Sequence, residues 1–403
     1  MGAMKRELEI DAARGLMLAW MAMTHLPTSI TPWVNQPFGY ISASEGFIFL
    51  SALFTGRIYF RLMARAGVAK MSGKLLGRTL RLYGYHVLLL LFAFIIAARY
   101  AIGAQSQGLY HLLDFYFAAG PARAVTDALL LVYRPPLLDI IPLYIIFLLI
   151  APLVIVGATR IGWKPILSVS IALWLLAQFG LREAAYAFLT THAGLRIPLN
   201  EMGAFNLWAW QLVWIVGIWC GVRWAKDDLP VEKWARKTWI PALAFVAILF
   251  AFRYYEQIAA LNLGPWETLV DKWHLGVVRP INFAAIAVVL IRFRSVAKQL
   301  AIRPLVMLGQ SSLQVFCTHF LFCFLGLWMM GSADYVAGWR QVALAAVTFG
   351  TLLLVAKINA RPELAQPAGA GDGRKEIATV PSPAPALLGG APARTLAGQR
   401  PAA

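Results

Sequence analysis

Residues 9–51 read EIDAARGLMLAWMAMTHLPTSITPWVNQPFGYISASEGFIFLS: an apolar run, a turn rich in proline and glycine, and the start of a second apolar run. Asp11, Arg14 and His25 stand inside the first run, and Glu45 opens the second. On a helix turning about 100° per residue, Arg14 and His25 come back to within roughly 20° of one another, with Asp11 on the same side. At about 1.5 Å rise per residue they stand about 16 Å apart along that face, near half the thickness of a hydrocarbon core. If the two runs are antiparallel neighbours, Glu45 is level with His25.

A charge inside a membrane span is unfavourable by about 2.5–3.5 kcal/mol on insertion scales, so such a residue faces the bundle interior and has a partner or a task. Each of the four also has a purely structural reading. Asp11 and Arg14 can neutralise one another near a membrane surface. His25 can cap a helix end, and Glu45 with Ser42 and Ser44 can form a helix start at the positive end of the dipole. Their concentration in one short stretch favours a shared site.

Arg14, ten residues and then His25 resembles the Arg/His pair of the acyltransferase family 3 superfamily of membrane enzymes. GFIFLS after Glu45 resembles more narrowly the OpgC branch, which adds succinyl groups to osmoregulated periplasmic glucans. LDIIPLYIIFLLIAP from Leu138, FNLWAWQLVWIVG from Phe205, DKWHLGVVRPINF from Asp271 and LGQSSLQVFCTHFLF from Leu308 agree with that branch. The resemblance runs from Ile10 to Lys357.

Composition fixes the class independently. The chain is 60% hydrophobic and 14% charged, with 15 tryptophans, which describes a polytopic membrane protein. The net charge of +17 comes from basic residues spread over alternate loops instead of one patch, so they are topology signals and no nucleic-acid partner is expected. Cys220, Cys317 and Cys323 lie in apolar stretches and read as packing residues. Cys317 and His319 point about 200° apart on a helix, so no metal site is expected from them. Glu7, Glu9 and Asp11 interrupt the first run and no small-residue cleavage site follows, so it reads as a retained span.

Hydropathy gives ten spans: Asp11 to Thr28, Tyr40 to Leu62, Leu75 to Ala98, Leu138 to Ile155, Pro165 to Gly180, Phe205 to Val222, Trp239 to Tyr255, His274 to Phe293, Leu305 to Met330 and Trp339 to Ile358. Every second connection is basic. The series runs from Arg57, Arg61, Arg65, Lys70, Lys74, Arg78 and Arg81 to Arg160 and Lys164, then Arg223, Lys226, Lys233, Arg236 and Lys237, then Arg292, Arg294, Lys298 and Arg303. The positive-inside rule puts these loops and both termini in the cytoplasm. Asp11 and Arg14 then lie toward the cytoplasmic side, His25 and Glu45 toward the far side.

Further polar residues gather on that far half: Asp139, Trp210 and Gln211 (with Trp208), Lys272, Trp273 and His274, Arg279, Asn282 and His319, the last sharing a helix face with Ser312. They are expected to line a cavity or bind the acceptor, although interfacial tryptophans, a snorkelling lysine or an interhelical asparagine bond explain them structurally too. Between the third and fourth spans, Leu109 to Phe117 and Ala122 to Val132 read as two short amphipathic helices split at Gly120 and Pro121, with Tyr110, Phe115, Tyr116 and Phe117 anchoring at the interface. From Ala360 to Ala403, Ala, Pro and Gly dominate, and this segment reads as a disordered cytoplasmic tail beyond a membrane domain of residues 1–359.

The chemistry of acyl transfer needs a group that takes a hydroxyl proton or carries the acyl unit, and His25 is placed for it. Glu45 is expected to hold its tautomer and stabilise the imidazolium. Arg14 is expected to bind anionic donor groups, with Asp11 orienting it. The resemblance implies acyl-CoA, succinyl-CoA by the branch, as co-substrate with no permanently bound cofactor. It also implies a periplasmic or cell-envelope glucan acceptor, membrane lipid and glucan-synthesis proteins as partners, and the bacterial cytoplasmic membrane as location. The alternative class is a carrier or flippase for an anionic glycan or lipid, using the same buried charges to line a path; the chain has no P-loop for ATP-driven transport.

Overall fold

The computed structural model describes residues 8–103, 106–229 and 231–359, and every regular element among them is helical. Ten helices form the body: α1 (Leu8–His25), α2 (Ala43–Leu91), α3 (Ile140–Ile161), α4 (Trp163–Gln178), α5 (Leu207–Ala225), α6 (Val231–Ala259), α7 (Val278–Arg292), α8 (Arg303–Gln310), α9 (Ser312–Met330) and α10 (Trp339–Asn359). Among the described residues, six helical runs are long and apolar enough to cross a membrane, or seven if α4 and Leu181–Ala193, bent by 81°, make one broken span. The chain is an all-helical membrane protein.

The difference from ten expected spans has physical causes. In α1, Glu9, Asp11 and Arg14 fall within 18 residues, and α7 is only 15 residues long. The second and third expected spans lie in one helical run, Ala43–Gly103. That run is not straight. Thr55 and Arg78 on a straight helix would be about 34 Å apart, yet Arg78 Nη1 donates to Thr55 Oγ1 at 3.2 Å. The fold-back is at Gly67, whose φ of 81° and ψ of 170° belong to a region essentially reserved for glycine. A Cβ there would meet nothing within 4 Å, so the glycine serves the backbone and not the packing. α2 is a helical hairpin with the basic residues at its tip.

Close packing of small residues joins the helices around it. A Cβ on Gly217 would lie 2.5 Å from Ala52 Cβ, and one on Gly221 2.1 Å from the Leu53 carbonyl oxygen. GIWCG of α5 therefore lies backbone to backbone on the first leg of α2, which is how membrane helices associate without a hydrophobic driving force. From Gly217 to Gly221 the carbonyl met on α2 advances four residues, from Phe49, whose oxygen lies 2.9 Å from a Gly217 Cβ, to Leu53, so the two run parallel. Gly15 of α1 and Gly309 of α8 make the same kind of contact, each against the other helix's backbone.

The connection after α2 forms three short helices where two are expected, Gln107–Leu112, Asp114–Ala119 and Pro121–Leu129, with an added break at Leu113. Leu109, Leu113 and Phe115 are buried, and Ser106 Oγ donates to the Leu327 carbonyl of α9 at 3.0 Å. This segment is packed against the bundle on one side. The expected tail, residues 360–403, lies outside the described residues.

Candidate active site

α1 and α9 meet along the face on which the sequence places Arg14 and His25. Arg14 Nη2 donates to Ser312 Oγ at 2.5 Å, and His25 Nδ1 lies 3.1 Å from His319 Nε2. Both rungs ascend together on the two helices, which are therefore parallel. Asp11, buried, accepts from Gln310 Nε2 at 3.4 Å, and the Arg14 guanidinium lies 5.1 Å from the centre of the Phe54 ring.

Around the histidine pair the walls are aromatic. Phe316 stacks on Phe47 of α2 at 5.2 Å and 10°, and its carbonyl accepts the Nδ1–H of His319. Phe320 packs against both imidazoles. His319 is buried, whereas His25 keeps partial exposure. Among the described residues, His25, His319 and Cys323 are a group close enough to hold a metal ion, their donor atoms lying within 4.8 Å of one another. The two ring nitrogens at 3.1 Å face each other instead of converging on a third point, which suits an N–H···N bond and not shared ligation.

Glu45 is placed differently from the expected His25–Glu45 contact. Its Oε1 accepts from Arg279 Nε at 2.7 Å and also from Arg279 Nη2, and both residues are fully buried. Its Oε2 accepts from Ser42 N at 3.0 Å and Ser42 Oγ at 2.6 Å, completing a capping box at the start of α2. The carboxylate is used up by these partners, because a buried guanidinium demands a charge partner and the helix start demands an acceptor. His25 finds its partner in His319.

Arg279 also donates to the Val270 carbonyl at 3.3 Å, and Asn282 Nδ2 donates to the Phe38 carbonyl at 3.0 Å. Arg279 Nη1 also reaches Gln36 Oε1 at 3.5 Å, and with Asn282 it pins the loop between α1 and α2 to α7. Trp210 Nε1 bonds the carbonyls of Lys272 and Trp273 at 3.1 and 3.2 Å, fixing the turn before α7 from beneath. Lys272 is thereby held near Glu45, Arg279 and Asp139, and near enough to His25 to act on it electrostatically. Its ammonium lies 4.8 Å from the Trp273 ring, and Trp273 itself is 41% exposed. Burial pulls the Lys272 pKa below its ordinary value against the pull of Glu45, with Arg279 adding to the fall. Asp139 accepts from Ala204 N at 3.0 Å.

Gln211 is not brought to this cluster. Its amide exchanges bonds with Ser170 of α4, at 2.7 and 2.8 Å, beside an apolar groove of about 420 Å³. Sequence reading also missed Arg78, taken only as a topology charge. Arg78 donates to Tyr144 Oη at 2.5 Å and to Thr55, with Tyr59 alongside, and among the described residues no carboxylate pairs with it. Its position three after Leu75 and four before Leu82, both buried, puts it on the inward face and was the available signal. Tyr144 in turn packs on Phe47, so aromatic contacts run from Arg78 to Phe316 and the histidines.

A family model described as "OpgC protein" matches residues 6–363. Comparison with curated proteins and with solved structures finds no match to the chain.

Proposed function

This chain belongs to the OpgC family, and from that premise we propose that it is a membrane O-acyltransferase moving an acyl group, succinyl by the family's chemistry, from cytoplasmic acyl-CoA to a hydroxyl of a periplasmic glucan. The observation that carries this reading is the partly exposed His25, with Nδ1 engaged by His319 at 3.1 Å and no partner on Nε2 among the described residues. In one step, Nε2 takes the acceptor's hydroxyl proton while that oxygen attacks the thioester carbonyl. The C–S bond then breaks, and the proton passes from Nε2 to the leaving thiolate, leaving an ester and a free thiol. Arg14 and Arg78, on the basic-loop half of the bundle, are the groups suited to the donor's anionic parts. Lys272, Asp139 and Trp273 frame the acceptor's approach.

Ten crossings with both termini cytoplasmic accommodate this arrangement in the bacterial cytoplasmic membrane. The parallel course of α1 with α9, and of the first leg of α2 with α5, supports the count, since spans of like parity must run in the same direction. Mass spectrometry of envelope glucans from cells with and without the gene tests the function. An acyl mass increment that depends on the gene is expected; unchanged masses with altered glucan location would assign the chain to transport instead.

A further inference from the structure

We infer that His319 is a positioning residue that fixes His25 as the Nδ1–H tautomer and so leaves Nε2 as the basic nitrogen. This deepens the acyl-transfer reading and rests on it.

The chain of reasoning begins at a backbone carbonyl. The Phe316 oxygen can only accept, so the bond it makes with His319 Nδ1 requires a hydrogen on that nitrogen. A neutral imidazole carries one N–H, so His319 Nε2 presents a lone pair. Its neighbour at 3.1 Å, His25 Nδ1, must then be the donor. Phe316 is three residues before His319 on the same helix, so the carbonyl's position is set by helix geometry and not by a mobile side chain.

The ring geometry agrees. The imidazole planes lie 17° apart with centroids 5.4 Å apart. The N···N distance plus the two ring radii accounts for that whole separation, so both nitrogens lie on the line joining the rings. An sp² nitrogen carries its hydrogen or lone pair in the ring plane, and here the two point at one another. This is an in-plane N–H···N bond. When His25 Nε2 gains a proton, its Nδ1–H donates more strongly to His319, and the charge spreads toward a ring already anchored on a carbonyl. Phe316 and Phe320 exclude water from the buried partner, so His319 has no competing donor from solvent.

His319→Leu and His319→Gln test this in the full-length protein in lipid nanodiscs. Leucine supplies no acceptor, whereas the glutamine amide oxygen can accept from His25 Nδ1. For His319→Leu the expected result is a fall in kcat of about 10²-fold or more with donor KM little changed, and His319→Gln should recover most of the rate. Nitrogen NMR of histidine-labelled protein gives a readout without activity: the chain has six histidines, and the His25 signals are identified by their loss in His25→Ala. They should show the Nδ1–H form in the parent and shift toward Nε2–H in His319→Leu. A parental His25 spectrum in His319→Leu, or parental kcat in that variant, overturns the inference. His25→Ala separates the two levels: parental transfer by that variant sinks the acyl-transfer role of His25, whereas an inactive His25→Ala beside a fully active His319→Leu sinks only the role of His319.

Discussion

Glu45 and Arg279, both without solvent exposure, form an ion pair whose members cannot be removed singly without stranding a charge. Glu45→Gln is therefore expected to lower stability by about 3–5 kcal/mol in detergent unfolding, while Glu45→Leu combined with Arg279→Met should recover much of it. A fully stable Glu45→Gln would mean the pair is not what holds the loop between α1 and α2. Arg14→Lys keeps the charge but loses the planar fork on Ser312. Donor KM should rise strongly with abundance unchanged; an unaltered KM would reduce Arg14 to a structural charge. The face shared by Arg14 and His25 was legible because helix geometry alone fixes it. The partner of Glu45 was not, because Arg279 lies 234 residues away and only tertiary packing brings it there. His319 was legible as an intramembrane histidine, but its pairing with His25 depends on how α1 and α9 dock.

At the scale of elements, apolar runs announce helices, and each expected span contains helical residues, although six or seven helical runs among the described residues are long and apolar enough to cross a membrane. What hydropathy could not reveal is that the second and third are one hairpin, since the basic residues between them look like a loop yet stay helical up to Gly67. Gly67→Ala should destabilise by about 1–3 kcal/mol through backbone strain alone. Gly73→Ala, in regular helix with nothing within 4 Å of its Cβ position, should be neutral or stabilising by up to about 1 kcal/mol. Equal effects on the unfolding midpoint would refute the hinge. Gly221→Val should prevent α5 from seating on α2 and lower the folded yield, whereas Gly350→Val, with open space around it, should not.

For the whole molecule, the proposed arrangement separates donor and acceptor across the membrane, and sidedness is the property to measure. Cysteines at Gln107 and Ser332, both exposed, should react with an impermeant reagent from the periplasmic side, and cysteines at Lys74 and Asp228 should not. Ser106 is unsuitable for this labelling despite its place in a loop, because it is buried and bonded to Leu327. Reaction of Lys74→Cys from outside would reverse the orientation and with it the donor entrance. Transfer across sealed inside-out vesicles, loaded with glucan and given labelled succinyl-CoA on the outside, tests the central claim most directly. Label should accumulate on the enclosed glucan with parental protein and be lost with His25→Ala at equal abundance. Enclosed glucan left unlabelled by folded parental protein, or labelled equally by His25→Ala, would contradict it.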